Sequence, residues 1–101
     1  MEFIVIAKQR SNLNPERQRE LVRVFNQWQP PEGFNMKSLY FGVDNSRAFA
    51  VVEADDSAAL VRVSATFVDY IDFEFVPVIA PQEGAAIAEE MNAWVDQVKG
   101  G

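Results

Sequence analysis

The sequence predicts a single α+β domain in which a β-hairpin sits between two strand-helix pairs and a last helix follows. Three observations predict it. Short apolar runs rich in β-branched and aromatic residues occur at Phe3–Lys8, Met36–Val43, Arg47–Ala54 and from Ile71 onward. Amphipathic stretches with capping residues at their starts separate them. The 101 residues, 49% hydrophobic and 24% charged, suit one globular core with little to spare.

Phe3–Lys8 is the first strand. "NPERQRELVRVFNQW" then starts a helix with Asn14 as N-cap, Pro15 in the first helical position and Glu16 in the first turn. Leu21, Val24, Phe25 and Trp28 recur at helical spacing and mark its buried face. Pro30 and Pro31 stop it, and Gly33 lets the chain turn. "MKSLYFGV" and "RAFAVVEA" are two strands joined by Asp44, Asn45 and Ser46, residues that tolerate turn conformations, so they read as a hairpin. A second helix follows, capped by Asp55 or Asp56, with Leu60, Val63 and Phe67 facing inward. "IDFEFVPVIAP" is the fourth strand, and "PQEGAAIAEEMNAWVDQV" is a closing helix with Ile87, Met91, Trp94, Val95 and Val98 on one side.

The order β-α-β-β-α-β is that of a ferredoxin-like domain, here extended by one helix across residues 1–101. Right-handed crossovers place the strands of the antiparallel sheet in the order 4-1-3-2. Pro77, which cannot donate a ladder hydrogen bond, then falls on an edge strand. Both crossover helices cover one face of the sheet, so the strands should alternate apolar with polar. They do not: Phe3, Val5 and Ala7 oppose Ile4 and Ile6, Phe49 and Val51 oppose Ala50 and Val52, and Phe73 and Phe75 oppose Val76 and Val78. The second apolar face needs a cover. Either the C-terminal helix folds back over it, or an identical sheet from a second copy closes on it, with the helices outside. The homodimer is the preferred expectation, because symmetric pairs are the commonest assemblies. Lys37 on one edge strand and Asp72 and Glu74 on the other would place opposite signs side by side across such a pair. If Phe49 belongs to the core, its truncation to alanine costs about 3 to 5 kcal/mol.

Composition excludes several functions. Without cysteine or histidine the chain has no disulfide, no thiol nucleophile, no histidine-based acid or base, and none of the commonest zinc and haem ligands. The formal charge of −6 makes nucleic acid a poor partner. No apolar run approaches the roughly 18 to 20 residues a membrane span needs. The opening "MEFIVIAKQR" has no basic segment ahead of its apolar stretch, so no signal peptide is expected and the cytoplasm is the expected location.

"FNQWQPPEG", "RAFAVVEADDSAAL" and "DFEFVPVI", in this order, resemble an uncharacterised family of short, mostly bacterial domains of unknown function in the dimeric α+β barrel group. The resemblance covers Phe3 to about Ile79. It implies the same fold and a homodimer, and no established activity. The wider group includes cofactor-free monooxygenases, small lactone isomerases and haem enzymes, and a chain without histidine departs from the haem branch at once.

Several residues remain as candidates for chemistry. Asp72 and Glu74 share a strand face and could supply a general acid or base, although an acidic edge that discourages aggregation explains them better. Tyr40, Arg10 and Arg47 are placed near strand ends, where they could orient a small anionic or carbonyl ligand. Trp28 could stack on a ligand, although both it and Trp94 fit core packing better. Glu53, Asp55 and Asp56 read as a helix start surrounded by acids in preference to a metal site. No cofactor and no metal are expected. The functional expectation is a small-molecule-binding or accessory module that pairs with itself. The alternative is a cofactor-free monooxygenase- or isomerase-like enzyme, with Asp72 or Glu74 as base in a pocket lined by Tyr40, Trp28 and arginines. That alternative requires an enclosed pocket holding at least two of those polar side chains.

Overall fold

A computed structural model of the protein describes residues 1–100. The elements run β1 (Glu2–Gln9), α1 (Pro15–Gln27), β2 (Phe34–Phe41), β3 (Arg47–Ala54), α2 (Ser57–Thr66), β4 (Ile71–Val78) and α3 (Pro81–Gly100). The four strands form one antiparallel sheet in the order β2-β3-β1-β4, the ferredoxin-like arrangement with a helix added at its end. Among the described residues no helix is long and apolar enough to cross a membrane.

Local chemistry sets the boundaries. Asn14 accepts a hydrogen bond from the Arg17 backbone N–H at 2.8 Å, and Pro15 opens α1 where no amide donor is needed. Asp56, not Asp55, caps α2, accepting from the Ala59 N–H at 2.9 Å. In the β2–β3 turn Asn45 takes a positive φ of 60°, and the Asp44 carboxylate accepts from both the backbone N–H and the hydroxyl of Ser46. Pro77 lies on β4, an edge strand paired only with β1, so its missing N–H removes no second ladder.

Strand register fixes which residues share a face. Val5 stands between Ala50 on β3 and Phe75 on β4, and Phe34 lies opposite Ala54. These residues face α1 and α2. Val5, Phe34, Ala50, Val52, Ala54, Ala59 and Val63 form the buried core, and three of them are alanines that let α2 come close to the sheet. Phe67, 2% exposed, ties the layers together: its ring lies 5.3 Å from Trp28, 6.2 Å from Phe73 and 6.4 Å from Phe25. Leu21 is buried and Trp28 half-buried, as the α1 spacing predicts, whereas Phe25 stays exposed at the layer's margin.

The C-terminal helix departs from expectation. Every described residue of α3 except the half-buried Gly84 is exposed, and none is buried. It does not fold back over the sheet. Trp94, expected to pack in a core, is 60% exposed, with Ile87, Met91 and Val98 also in solvent. The molecule measures 65 × 30 × 19 Å, and its radius of gyration of 18.5 Å far exceeds the value expected of a compact chain, about 13 Å for 100 residues. The helix is an arm, because its apolar side has no surface of its own chain to meet.

Phe49 is the other correction. It pairs with Ile6 and Tyr40 on the face away from the helices, half-buried and outside the core cluster. The core cost therefore moves to Phe67: Phe67→Ala should lower unfolding stability by about 3 to 5 kcal/mol, measured by urea denaturation. Loss of less than about 1 kcal/mol would mean that the aromatic cluster does not join helices to sheet.

Candidate functional site

The face of the sheet opposite the helices is where the chemistry-bearing residues gather. Period-two alternation sends Glu2, Ile4, Ile6 and Lys8 of β1 to this face. Register adds Arg47, Phe49, Val51 and Glu53 from β3, Asp72, Glu74, Val76 and Val78 from β4, and Tyr40 and Ser38 from β2. The centre is an apolar strip of Ile4, Ile6, Phe49, Val51 and Val76. Charged groups occupy both ends.

At one end Lys37 reaches two carboxylates, Glu2 at 3.0 Å and Glu53 at 3.7 Å, while the amino terminus of Met1 lies 2.6 Å from Glu53. A register shift between Met36 and Ser38 frees Lys37 from the pleat. The hydrogen bond and charge of Glu2 hold the Lys37 ammonium above its usual range. The hydrogen bond from the Met1 amine, helped by its charge and by Lys37, holds Glu53 below the usual carboxylate range. Since Lys37 is satisfied within its own chain, it is not a free charge waiting for the opposite edge of another copy.

The other end is open. A groove of about 330 Å³ is lined by Ile6, Lys8, Ser46, Arg47, Asp72 and Glu74, with Phe73 at its edge. Lys8 stands between Arg47 and Asp72 in register, and the Arg47 guanidinium lies 5.4 Å from the Phe49 ring centroid, a cation–π contact. Three of the candidate residues, Arg47, Asp72 and Glu74, thus line one groove. Arg10 joins them at the end of the β1–β4 pair, where its backbone N–H donates to the Tyr70 carbonyl and its guanidinium lies 3.4 Å from Asp72, while its Nε is buried without a hydrogen-bond partner. Arg10 also lines a second groove of about 350 Å³ with Ala65, Val68, Ile71 and Phe75, on the helix side of the edge strand.

Two candidates stand apart. Tyr40 shares the open face but lies on β2, three strand spacings or about 14 Å from β4, and is 64% exposed. Trp28 lies on the opposite side of the sheet, against Phe34 and Phe67. The structure therefore does not bring Tyr40 and Trp28 into one pocket. Glu53 and Asp56 are engaged in an ion pair and a helix cap, and no group of three potential metal ligands forms among the described residues. Lys8 is the groove residue that sequence reasoning passed over, although its spacing from Ile4 and Ile6 already put it on this face.

The chain belongs to the DUF3303 family, a domain of unknown function whose pattern matches residues 1–92. No curated protein and no solved structure matches it. Membership accords with the resemblance drawn from the strand and helix phrases, and it carries no activity with it.

The turn beside the groove offers a titration test. Hydrogen bonds from the Ser46 N–H and hydroxyl hold the Asp44 carboxyl below its ordinary 3.8. A lowered carboxyl favours the folded turn above the unfolded value, and that contribution fades as pH falls through the folded one. Ser46→Ala should therefore raise the Asp44 pKa, read by NMR of its side-chain carboxyl carbon in acid titration, while the backbone bond keeps it under 3.8. An unchanged Asp44 titration would remove the hydroxyl from the account.

Proposed function

We propose that this protein is a small homodimeric binding or accessory module, in which two copies bring their open sheet faces together and leave the helices outside. One observation carries the reading: the open face is apolar through its centre, with Ile4, Ile6, Phe49, Val51 and Val76 adjacent in register across three strands. Four strands of eight residues project an area of about 26 by 19 Å, about 500 Å². The apolar strip is the middle of that area, between the charged ends, and a contiguous apolar patch of even a few hundred Å² on a soluble protein is often functional. An identical sheet supports the same residues in return, as two-fold symmetry requires.

Closure of this kind turns the open groove into a chamber. Lys8, Arg47, Asp72 and Glu74 would then line a partly dry space beside Phe49 and Ile6, with two cations and two carboxylates available to a small polar ligand. The module reading has more support than the enzyme reading, because Tyr40, Asp72 and Glu74 stand exposed on an open face of the single copy and Trp28 lies on the other side of the sheet.

The test is a charge placed in the centre of the face. Phe49→Glu, or independently Ile6→Glu, should leave the circular dichroism of the fold intact and shift the protein from dimer to monomer in sedimentation velocity. A dissociation constant weaker by about a hundredfold or more is expected for a buried, unpaired carboxylate. If both variants sediment like the parent dimer, the open face is not the interface.

A further inference from the structure

The groove at the Lys8 end is unfinished on one side. It runs along the edge strand β4, and among the described residues no further strand stands beyond Asp72 and Glu74. At the same end of the sheet, about 14 Å away, the β2–β3 hairpin carries large side chains that nothing in their own chain covers. Tyr40 is 64% exposed, Phe41 72%, and Val43 stands wholly in solvent. Tyr40 shares the open face with the groove, whereas Phe41, in register with Ala48, points to the helix side.

We infer that each groove is completed by the β2–β3 hairpin of a second copy, which brings Tyr40 to the Asp72–Glu74 end of β4 on the inner face and Phe41 to the same end on the helix side. The inference rests on the face-to-face dimer and specifies its symmetry. A two-fold axis parallel to the strands lays β2 of one copy along β4 of the other, antiparallel, with the hairpin tip at the Ile71 end. A two-fold axis across the strands would lay β4 along β4 and β2 along β2.

The free edges decide between these two. The Arg10 N–H donates to the Tyr70 carbonyl at 2.9 Å, so even-numbered residues of β4 turn their backbone groups to β1, and Ile71, Phe73, Phe75 and Pro77 turn theirs outward. The Gly42 N–H donates to the Arg47 carbonyl at 2.7 Å, so Leu39 and Phe41 turn theirs outward from β2. Each edge has a regular half at the groove end and an irregular half beyond it, with Pro77 on β4 and the shift between Met36 and Ser38 on β2. The axis parallel to the strands sets regular half against regular half, Leu39 and Phe41 of one copy beside Phe73 and Phe75 of the other. The axis across the strands sets each regular half against an irregular one.

Side chains and area agree. The outward residues of both edges carry their side chains on the helix side, where the groove of about 350 Å³ lined by Val68, Ile71 and Phe75 can take Phe41. The sheet face projects about 500 Å², short of the about 800 Å² that a stable interface takes from each partner, and the hairpins enlarge it. The crossed axis would turn Lys8 and Arg47 onto Glu2 and Glu53, but Lys37 and the Met1 amine already hold those carboxylates. With the second copy's Tyr40 in place, the groove gains a phenol O–H that donates towards its carboxylates and a flat apolar wall. No single chain then holds the whole ligand site.

The cysteine-free chain makes the test clean. Val43→Cys is mixed with Asp72→Cys, with Val78→Cys and with Asn35→Cys, each prepared as its own protein, and the mixed disulfide is followed by mass under mild oxidation. The first pair should react about tenfold or more faster than the other two, because docking raises the effective thiol concentration. In the unsubstituted protein, isotope-filtered NMR on mixed labelled and unlabelled copies should link the Tyr40 ring to side chains of β4 in the other copy. A dimer in which Asp72→Cys gains no rate over Val78→Cys and Asn35→Cys, or in which Tyr40 contacts β2 of the other copy, overturns the shared groove and leaves the sheet interface standing. If the parent protein scatters as a monomer at every concentration, both are overturned.

Discussion

The constraint on which the rest depends is the pleat of the sheet. Successive residues of a strand point to opposite faces, and in β1 and β3 both sets are apolar. The helices α1 and α2 can satisfy only one face. Burial of Val5, Ala50, Val52 and Phe67 beneath them accounts for the fold, and the same alternation leaves Ile6, Phe49 and Val51 half-buried on the other side. The core and the candidate site are thus two products of one pattern. A polar residue at every second position would have given the same topology and no site.

Electrostatics then divides the open face. Its Glu2 end is closed by Lys37, which satisfies Glu2 and Glu53 at once. Such exposed pairs contribute little to stability, but they leave that end without an uncommitted cation. At the Lys8 end the charges are spaced around a groove, and among the described residues only Asp72, held by Arg10, is in an ion pair there. On the proposed reading, a ligand carrying both donor and acceptor groups would find its partners at the second end. Between the two ends lies the apolar strip on which the proposed self-association rests.

Much of the fold was legible because it follows from period and capping. Asn14 and Pro15 opened α1, Pro30 and Pro31 stopped it, Pro77 assigned β4 to an edge, and the alternation of Phe73 with Glu74 placed each on its face. Less of the site could be read. Tyr40 and Trp28 were grouped in one pocket, yet strand parity puts Tyr40 on the open face while Trp28, at the end of α1, packs against Phe34 and Phe67 on the other side. Lys37 looked like a free edge cation because a one-residue register shift cannot be seen from composition. Trp94 was assigned to a core because amphipathic spacing reports that a helix has an apolar side, not which molecule that side meets.

The account stands on the claim that the Ile4–Ile6–Phe49 face is shielded in the working protein. Methyl-labelled NMR with a soluble paramagnetic agent tests it most directly, using buried Val52 and Val63 and exposed Val22 and Val61 as internal standards. The account predicts that the methyls of Ile4, Ile6 and Val51 resist broadening as Val52 and Val63 do. Broadening of those three to the extent of Val22 and Val61, at a concentration suited to NMR, would contradict it.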